Sequence, residues 1–174
     1  MKFISFNHNN TEKFGIIENN VITDLTGKIS DAKSLKELIK IKKINDAKEY
    51  AKNNPGNISP NEIHYSPVIP NPGKIICVGL NYSEHVKETN RTIEENPVIF
   101  HRFPESQTSH LQPIQRPTVS ESLDFEGEMA VIMDEAGKHI KTEDALKHIV
   151  GFSCYNESTV REWQRHTRQF GMGK

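Results

Sequence analysis

Cysteine is nearly absent: Cys77 and Cys154 are the only two in 174 residues. Each lies inside an apolar, strand-like run, and their spacing suggests neither a thiolate zinc site nor a disulfide framework. This usage fits a reducing cytoplasm. An excess of basic charge is missing as well; with a formal net charge of −1 the chain has no global field to draw nucleic acid, and no acidic tail stands out. No apolar run reaches membrane-spanning length, and no charged-then-apolar leader follows Met1. The expectation is a cytoplasmic protein with no nucleic-acid and no membrane partner. Internal repeats and low-complexity segments are lacking too. The apolar fraction of 34% is low, yet the apolar residues cluster in short runs between turn signals, which argues for a folded chain. The length suits one ordinary domain, or a small one joined to part of a larger one.

What is present begins with short strands, predicted over Lys2 to Asn7, Phe14 to Ile17 and Val21 to Leu25 and broken by asparagine-rich turns. Ser34-Leu35-Lys36-Glu37 is a capping-box pattern, and Leu35, Leu38 and Ile39 make one apolar stripe of the helix it opens. Lys36, Lys40, Lys42 and Lys43, interleaved with apolar residues, read as the solvated side of that region. A second helix is predicted from Ile44 to Asn53. The stretch from Pro55 to Pro72 holds five of the nine prolines, so it reads as an extended connector. A domain boundary inside it divides the chain into 1–70 and 71–174.

Beyond the connector, Lys74 to Val78 is a buried-strand run, and Asn81 is the predicted cap of a helix. On that helix His85 and Glu88 are neighbours at i,i+3, where the carboxylate can orient the imidazole for proton abstraction or form an ordinary surface pair. Pro97 to Arg102 is another strand. From Leu123 to Met133 an extended strand would set Asp124, Glu126 and Glu128 on one face. Gly127 between the glutamates permits a close approach. Gathered carboxylates call for a positive partner, and a divalent cation is the simplest; the alternative is a solvated sheet edge. A short helix capped by Thr142 is expected to bury Ala145, Leu146 and Ile149 and to stop at Gly151. Phe152 to Tyr155 is a strand delivering Asn156 and Glu157. Ser158 is the expected cap of a last helix carrying Arg161, Trp163, Gln164 and Arg168.

Four motifs in order, Gly79-Leu80-Asn81-Tyr82-Ser83-Glu84-His85-Val86-Lys87-Glu88, Leu123-Asp124-Phe125-Glu126-Gly127-Glu128, Asn156-Glu157-Ser158-Thr159-Val160-Arg161-Glu162-Trp163-Gln164 and Gly171-Met172-Gly173-Lys174, resemble the fumarylacetoacetate hydrolase family. The resemblance covers Lys74 to Lys174, and the preceding meander is similar to the small N-terminal domain many members carry. It implies an α+β, mainly β chain: a small antiparallel α/β domain, then an incomplete mixed β-sandwich roll. It also implies Glu126, Glu128 and Glu157 as ligands of Mg²⁺ or Mn²⁺, His85 and Glu88 as the proton-moving dyad, and Lys174 as the substrate-polarising lysine. Arg102, Arg161 and Gln164 would bind substrate. Hard oxygen donors without thiolates suit these metals over zinc.

The implied activity is metal-dependent cleavage, decarboxylation or isomerisation of a β-diketo or 2-oxo acid through an enolate, on a small-molecule substrate of the acylpyruvate or oxaloacetate type. Two departures stand out. Glu157 replaces the usual aspartate, and the chain ends at Lys174 where family sheets continue. A homodimer, or a partner chain that completes the sheet, is therefore expected. The alternatives are an impaired relative that binds metal or organic acid without turnover, and an interaction subunit.

Overall fold

The computed structural model describes residues 1–83 and 95–174, which are mostly β with few helices. They form two compact units, one of 1–71, 108–113 and 127–155, the other of 72–107, 114–126 and 156–174. The first break falls at the proline-rich connector. Residues 127–155 nevertheless group with the N-terminal segment, because Ile132 and Val150 pack against its core.

The first unit is built on β1 (Lys2–His8), β2 (Thr11–Glu18), β3 (Val21–Asp24) and β4 (His64–Tyr65), an antiparallel sheet in the order β3-β2-β1-β4. Both tight turns need two residues of positive φ, and asparagine supplies them: Asn9 and Asn10 at 53° and 57°, Asn19 and Asn20 at 49° and 61°. Such turns match the strand twist and fix the register His8 opposite Thr11 and Glu18 opposite Val21. One sheet face carries Phe14 and Ile16 into a cluster with Leu25, Leu35, Leu38, Ile39 and Ala47. Helix α1 (Leu35–Lys40) supplies the expected stripe, and α2 (Ile44–Asn53) closes over it. The Ser34 hydroxyl accepts the Glu37 amide hydrogen at 3.2 Å, but the Glu37 carboxylate accepts from the Lys33 amide, so the predicted box is only half formed. The expected solvated lysines are partly tied down: Lys36 donates to the Asn71 carbonyl at 2.7 Å, and Lys42 to Asp134 Oδ2 at 3.0 Å.

The connector is more than an extended link. It contains a capped 3-10 turn at Pro60–Glu62 and strand β4, and it covers the second sheet face, where Ile63 packs with Phe6 and Ile22. Alternation along β1 and β2 leaves both faces apolar, so this second face has to be covered by something. The remaining strands of this unit are β8 (Gly127–Met133) and β9 (Ile149–Asn156), paired with each other; all of β9 except Asn156 belongs here. Gly151 lies inside β9 rather than ending a helix, and Thr142–His148 is a 3-10 segment capped by Lys141 with Leu146 exposed. At three residues per turn Ala145 and Leu146 point about 120° apart, and Ile149 already belongs to β9, so the expected inner face is not formed.

Asp24 ties β3 to β2. Burial alone pushes its carboxyl up, but the hydrogen bonds from Lys13 and from the Thr26 amide together outweigh burial and hold it below 3.8. A depressed folded-state value stabilises the fold above the unfolded one and is lost as pH falls through the folded value. Asp24→Asn is therefore expected to lower the denaturant midpoint near neutral pH, with the gap to the unmodified chain closing in acid below 3.8. A gap that stays constant with pH would show that the carboxylate charge is not what matters there.

In the second unit, β5 (Ile75–Gly79) and β6 (Val98–Arg102) form an antiparallel ladder that sets Ile75 opposite Arg102 and Cys77 opposite Phe100. Phe100 is buried, while Ile76, Val78 and Ile99 on the other face are about half exposed. A two-residue pair, β7 (Leu123–Asp124) with β10 (Thr159–Val160), sets Asp124 opposite Thr159. A single helical turn, Arg161–Gln164, and a 3-10 turn, Gly171–Gly173, complete this unit.

Candidate functional site

The acidic strand expected to run unbroken from Leu123 to Met133 is interrupted at Phe125 and Glu126. The Glu126 backbone finds its partners outside a ladder: its amide donates to Asn156 Oδ1 at 3.0 Å, and its carbonyl accepts from the Glu157 amide at 2.8 Å. Backbone groups so satisfied have no need of a ladder there. Asp124, Glu126 and Glu128 therefore do not share one continuous strand face. The crossed bonds instead place the Glu126 and Glu157 backbones side by side.

Around these two carboxylates the second unit gathers three cations. Glu157, buried, accepts from Arg102 Nη1 at 2.6 Å through one oxygen and from Lys174 Nζ through the other. Glu126 Oε1 accepts from Thr159 Oγ1 at 2.6 Å, Arg161 Nη1 at 2.8 Å and Lys174 Nζ at 3.3 Å. Arg161 also donates through Nε to Asp124 Oδ2 at 2.9 Å, which gives that third acid a partner. Arg102 spends its other donors on the Ser158 carbonyl and the Ser106 hydroxyl, both at 3.1 Å. Gln164 is joined through its Oε1, 3.3 Å from Arg161 Nη1. Asp124, Glu126 and Glu157 thus face Arg102, Arg161 and Lys174, three charges of each sign. Charge-assisted bonds of this kind are the strong ones, and they fix side-chain positions.

Sequence reasoning missed Thr159. Its hydroxyl is fully buried and central: it donates to Glu126 and accepts from Lys174 Nζ at 2.8 Å. Asn156, expected as no more than a strand end, holds the Glu126 amide through its carboxamide oxygen. Ser158 does not cap the last helix, whose cap position is Val160; Ser158 donates to Asn156 Oδ1 at 3.0 Å, and Ser122 Oγ accepts the Glu162 amide hydrogen at 3.2 Å. The Glu162 carboxyl is held below the usual carboxylate range, chiefly by the hydrogen bond that Ser120 donates to it.

Of the nine residues expected at the site, Arg102, Glu126, Glu157, Arg161, Gln164 and Lys174 come together in this unit. Glu128 lies on β8 in the other unit, on the half-buried face that also carries Ala130 and Ile132. His85 and Glu88 lie outside the described residues. Among the described residues no three His, Cys, Asp or Glu side chains converge as a ready-made metal cage. The donor set nonetheless fits a hard cation: the Lys174 ammonium stands between two carboxylates and a hydroxyl, an all-oxygen cradle of the kind hard divalent ions take.

A mainly β chain whose acids and bases meet between short strands is the class that this fold and site define. Residues 74–174 match the family model described as the C-terminal domain of fumarylacetoacetate hydrolase, and the chain belongs to the fumarylacetoacetate hydrolase family. It is 39% identical over 108 residues to a mitochondrial oxaloacetate tautomerase of Xenopus laevis, a match covering 61% of this chain and 34% of that protein. A human mitochondrial oxaloacetate tautomerase is 36% identical over 115 residues, covering 65% of this chain and 37% of its own. Among solved structures, a fumarylacetoacetate hydrolase from Exiguobacterium antarcticum superposes with a TM-score of 0.83 at 29% identity, covering all of this chain and 61% of that one. The chain thus spans about a third of those curated relatives and about three fifths of that solved chain. These relatives are named as enzymes, and no helix among the described residues is long and apolar enough to cross a membrane.

Proposed function

We propose that the chain carries the acidic half of a divalent-metal site that processes a small 2-oxo acid, with keto-enol tautomerisation of oxaloacetate as the reaction. The observation that carries this reading is the cradle in which Glu126, Glu157 and Thr159 surround one cation. Glu126 and Glu157 would hold Mg²⁺ or Mn²⁺, which when bound supplies positive charge where the substrate's carbonyl oxygen turns negative. Relatives named oxaloacetate tautomerase support the substrate class. A Sphingobium maleylpyruvate hydrolase, 19% identical, was solved with manganese(II) and pyruvate, which agrees with a hard cation and an oxo acid on this fold.

The chain's own groups divide the remaining work. His85, oriented by Glu88, removes a proton from the carbon between the substrate's two carbonyl groups, and the adjacent carbonyl oxygen gains one, so enol replaces ketone with no atom lost. Lys174 and Arg161 are cations for the substrate carboxylates, with Gln164 fixing the Arg161 fork. Arg102 is committed to Glu157 and keeps that carboxylate in place. Interconversion of enol and keto oxaloacetate, followed by absorbance, should be faster with protein and Mn²⁺ or Mg²⁺ together than with either alone. No acceleration with either metal would overturn the reading, and acylpyruvate hydrolysis in its place would redirect it to cleavage.

A further inference from the structure

Lys174 has a place in the cluster that substrate binding does not explain. Its side chain is only 2% exposed. An ammonium has three N–H donors, and here each has an acceptor: Glu157 Oε2, Glu126 Oε1 at 3.3 Å and Thr159 Oγ1 at 2.8 Å. The Phe100 ring closes the site, its centroid 4.7 Å from the nitrogen. A buried ammonium is tenable only where carboxylates surround it, so the site has the form of a cation site already filled.

The charges say the same. Asp124, Glu126 and Glu157 are balanced by Arg102, Arg161 and Lys174. A dication added beside all three would leave two uncompensated positive charges next to the almost fully buried Lys174 and Glu157. Arg102 and Arg161 are each anchored by further bonds to Ser158, Ser106, Asp124 or Gln164, whereas every hydrogen bond of the Lys174 ammonium is to an oxygen a metal would use. Lys174 is the cation whose side chain has no hydrogen bond outside the cradle.

We propose that the Lys174 ammonium is the resident cation of the Glu126, Glu157 and Thr159 cradle, and that a divalent metal enters by expelling it. The proposal rests on the metal-site reading above and adds an exchange to it. An expelled Lys174 reaches solvent, where a substrate carboxylate can meet it, so metal loading would precede substrate capture.

The test is lysine modification of the intact chain by reductive methylation, read by peptide mass spectrometry, with Mn²⁺ titrated alone and binding followed in parallel by calorimetry. Lys174 is expected to be protected without metal and to become reactive over the Mn²⁺ range in which heat is released, at least tenfold faster at saturation. Lys13, paired with Asp24 in the other unit, serves as the unchanged reference. Lys174→Gln, checked for an unaltered melting temperature, is expected to bind Mn²⁺ at least tenfold more tightly. Mn²⁺ binding with Lys174 still protected overturns the exchange and leaves the metal site standing. No Mn²⁺ binding to either the unmodified chain or Lys174→Gln overturns the metal site itself, while binding by the variant alone supports a lysine that blocks it.

Discussion

Glu126→Gln is expected to lower kcat/KM on the oxo acid by about a thousandfold and to weaken Mn²⁺ binding at least as much as loss of an outer-shell partner does, about 10- to 100-fold. The amide keeps the shape of the carboxylate, so the Thr159 hydroxyl can still donate to its oxygen. What disappears is the charge that Arg161 Nη1 and Lys174 Nζ both face, 2.8 Å and 3.3 Å away. Because Lys174 is almost fully buried, the imbalance is felt in stability as well, by about 3 kcal/mol. The two effects separate in a denaturant titration with and without Mn²⁺. The unmodified chain should gain stability with metal and Glu126→Gln should not. A variant that keeps both turnover and metal-linked stabilisation would remove Glu126 from the site.

The cluster was partly legible in the sequence. Glu126, Glu157, Arg161, Gln164 and Lys174 could be singled out because they sit in motifs the family resemblance aligns, and Arg102 because it ends a strand where that resemblance implies a basic residue. What holds them together could not be read. A period-two pattern runs from Asp124 through Glu128 without a break, and nothing local reveals that Asn156, 30 residues away, takes the Glu126 amide out of any ladder. Thr159 reads locally as a β-branched strand residue. It becomes a hub only because Lys174, 15 positions on, folds over it.

The N-terminal unit divides the same way. Its hairpins were legible because paired asparagines accept positive φ and the apolar residues alternate. Helix α1 was legible because stripe and cap coincide; α2 has the bounds the sequence predicts without a side-chain cap. The connector was misjudged because proline content reports backbone stiffness and says nothing about what a stiff segment docks against. Gly56 shows how closely it docks: a Cβ there would stand 2.0 Å from the Ile22 carbonyl oxygen.

That docking makes Phe6→Ala the largest stability effect expected in the first unit, about 3–5 kcal/mol. Phe6 is 0% exposed and belongs to a cluster of only three fully packed residues, with Ile22 from β3 and Ile63 from the connector. The helix-side cluster is much larger and can relax around a deletion; this one has the sheet on one side and a proline-stiffened strap on the other, so a cavity there stays open. A domain of this size has about 5–15 kcal/mol of total stability, so the loss takes a large share of it. Phe125→Ala is the matched control, because Phe125 is 76% exposed and its removal should change stability by about 0.5 kcal/mol or less. Denaturant midpoints of the two variants decide the point. If Phe6→Ala costs no more than Phe125→Ala, the connector does not seal the second sheet face. If the predicted gap appears, limited proteolysis of Phe6→Ala should cut first within residues 55–63, where the strap loses its anchor.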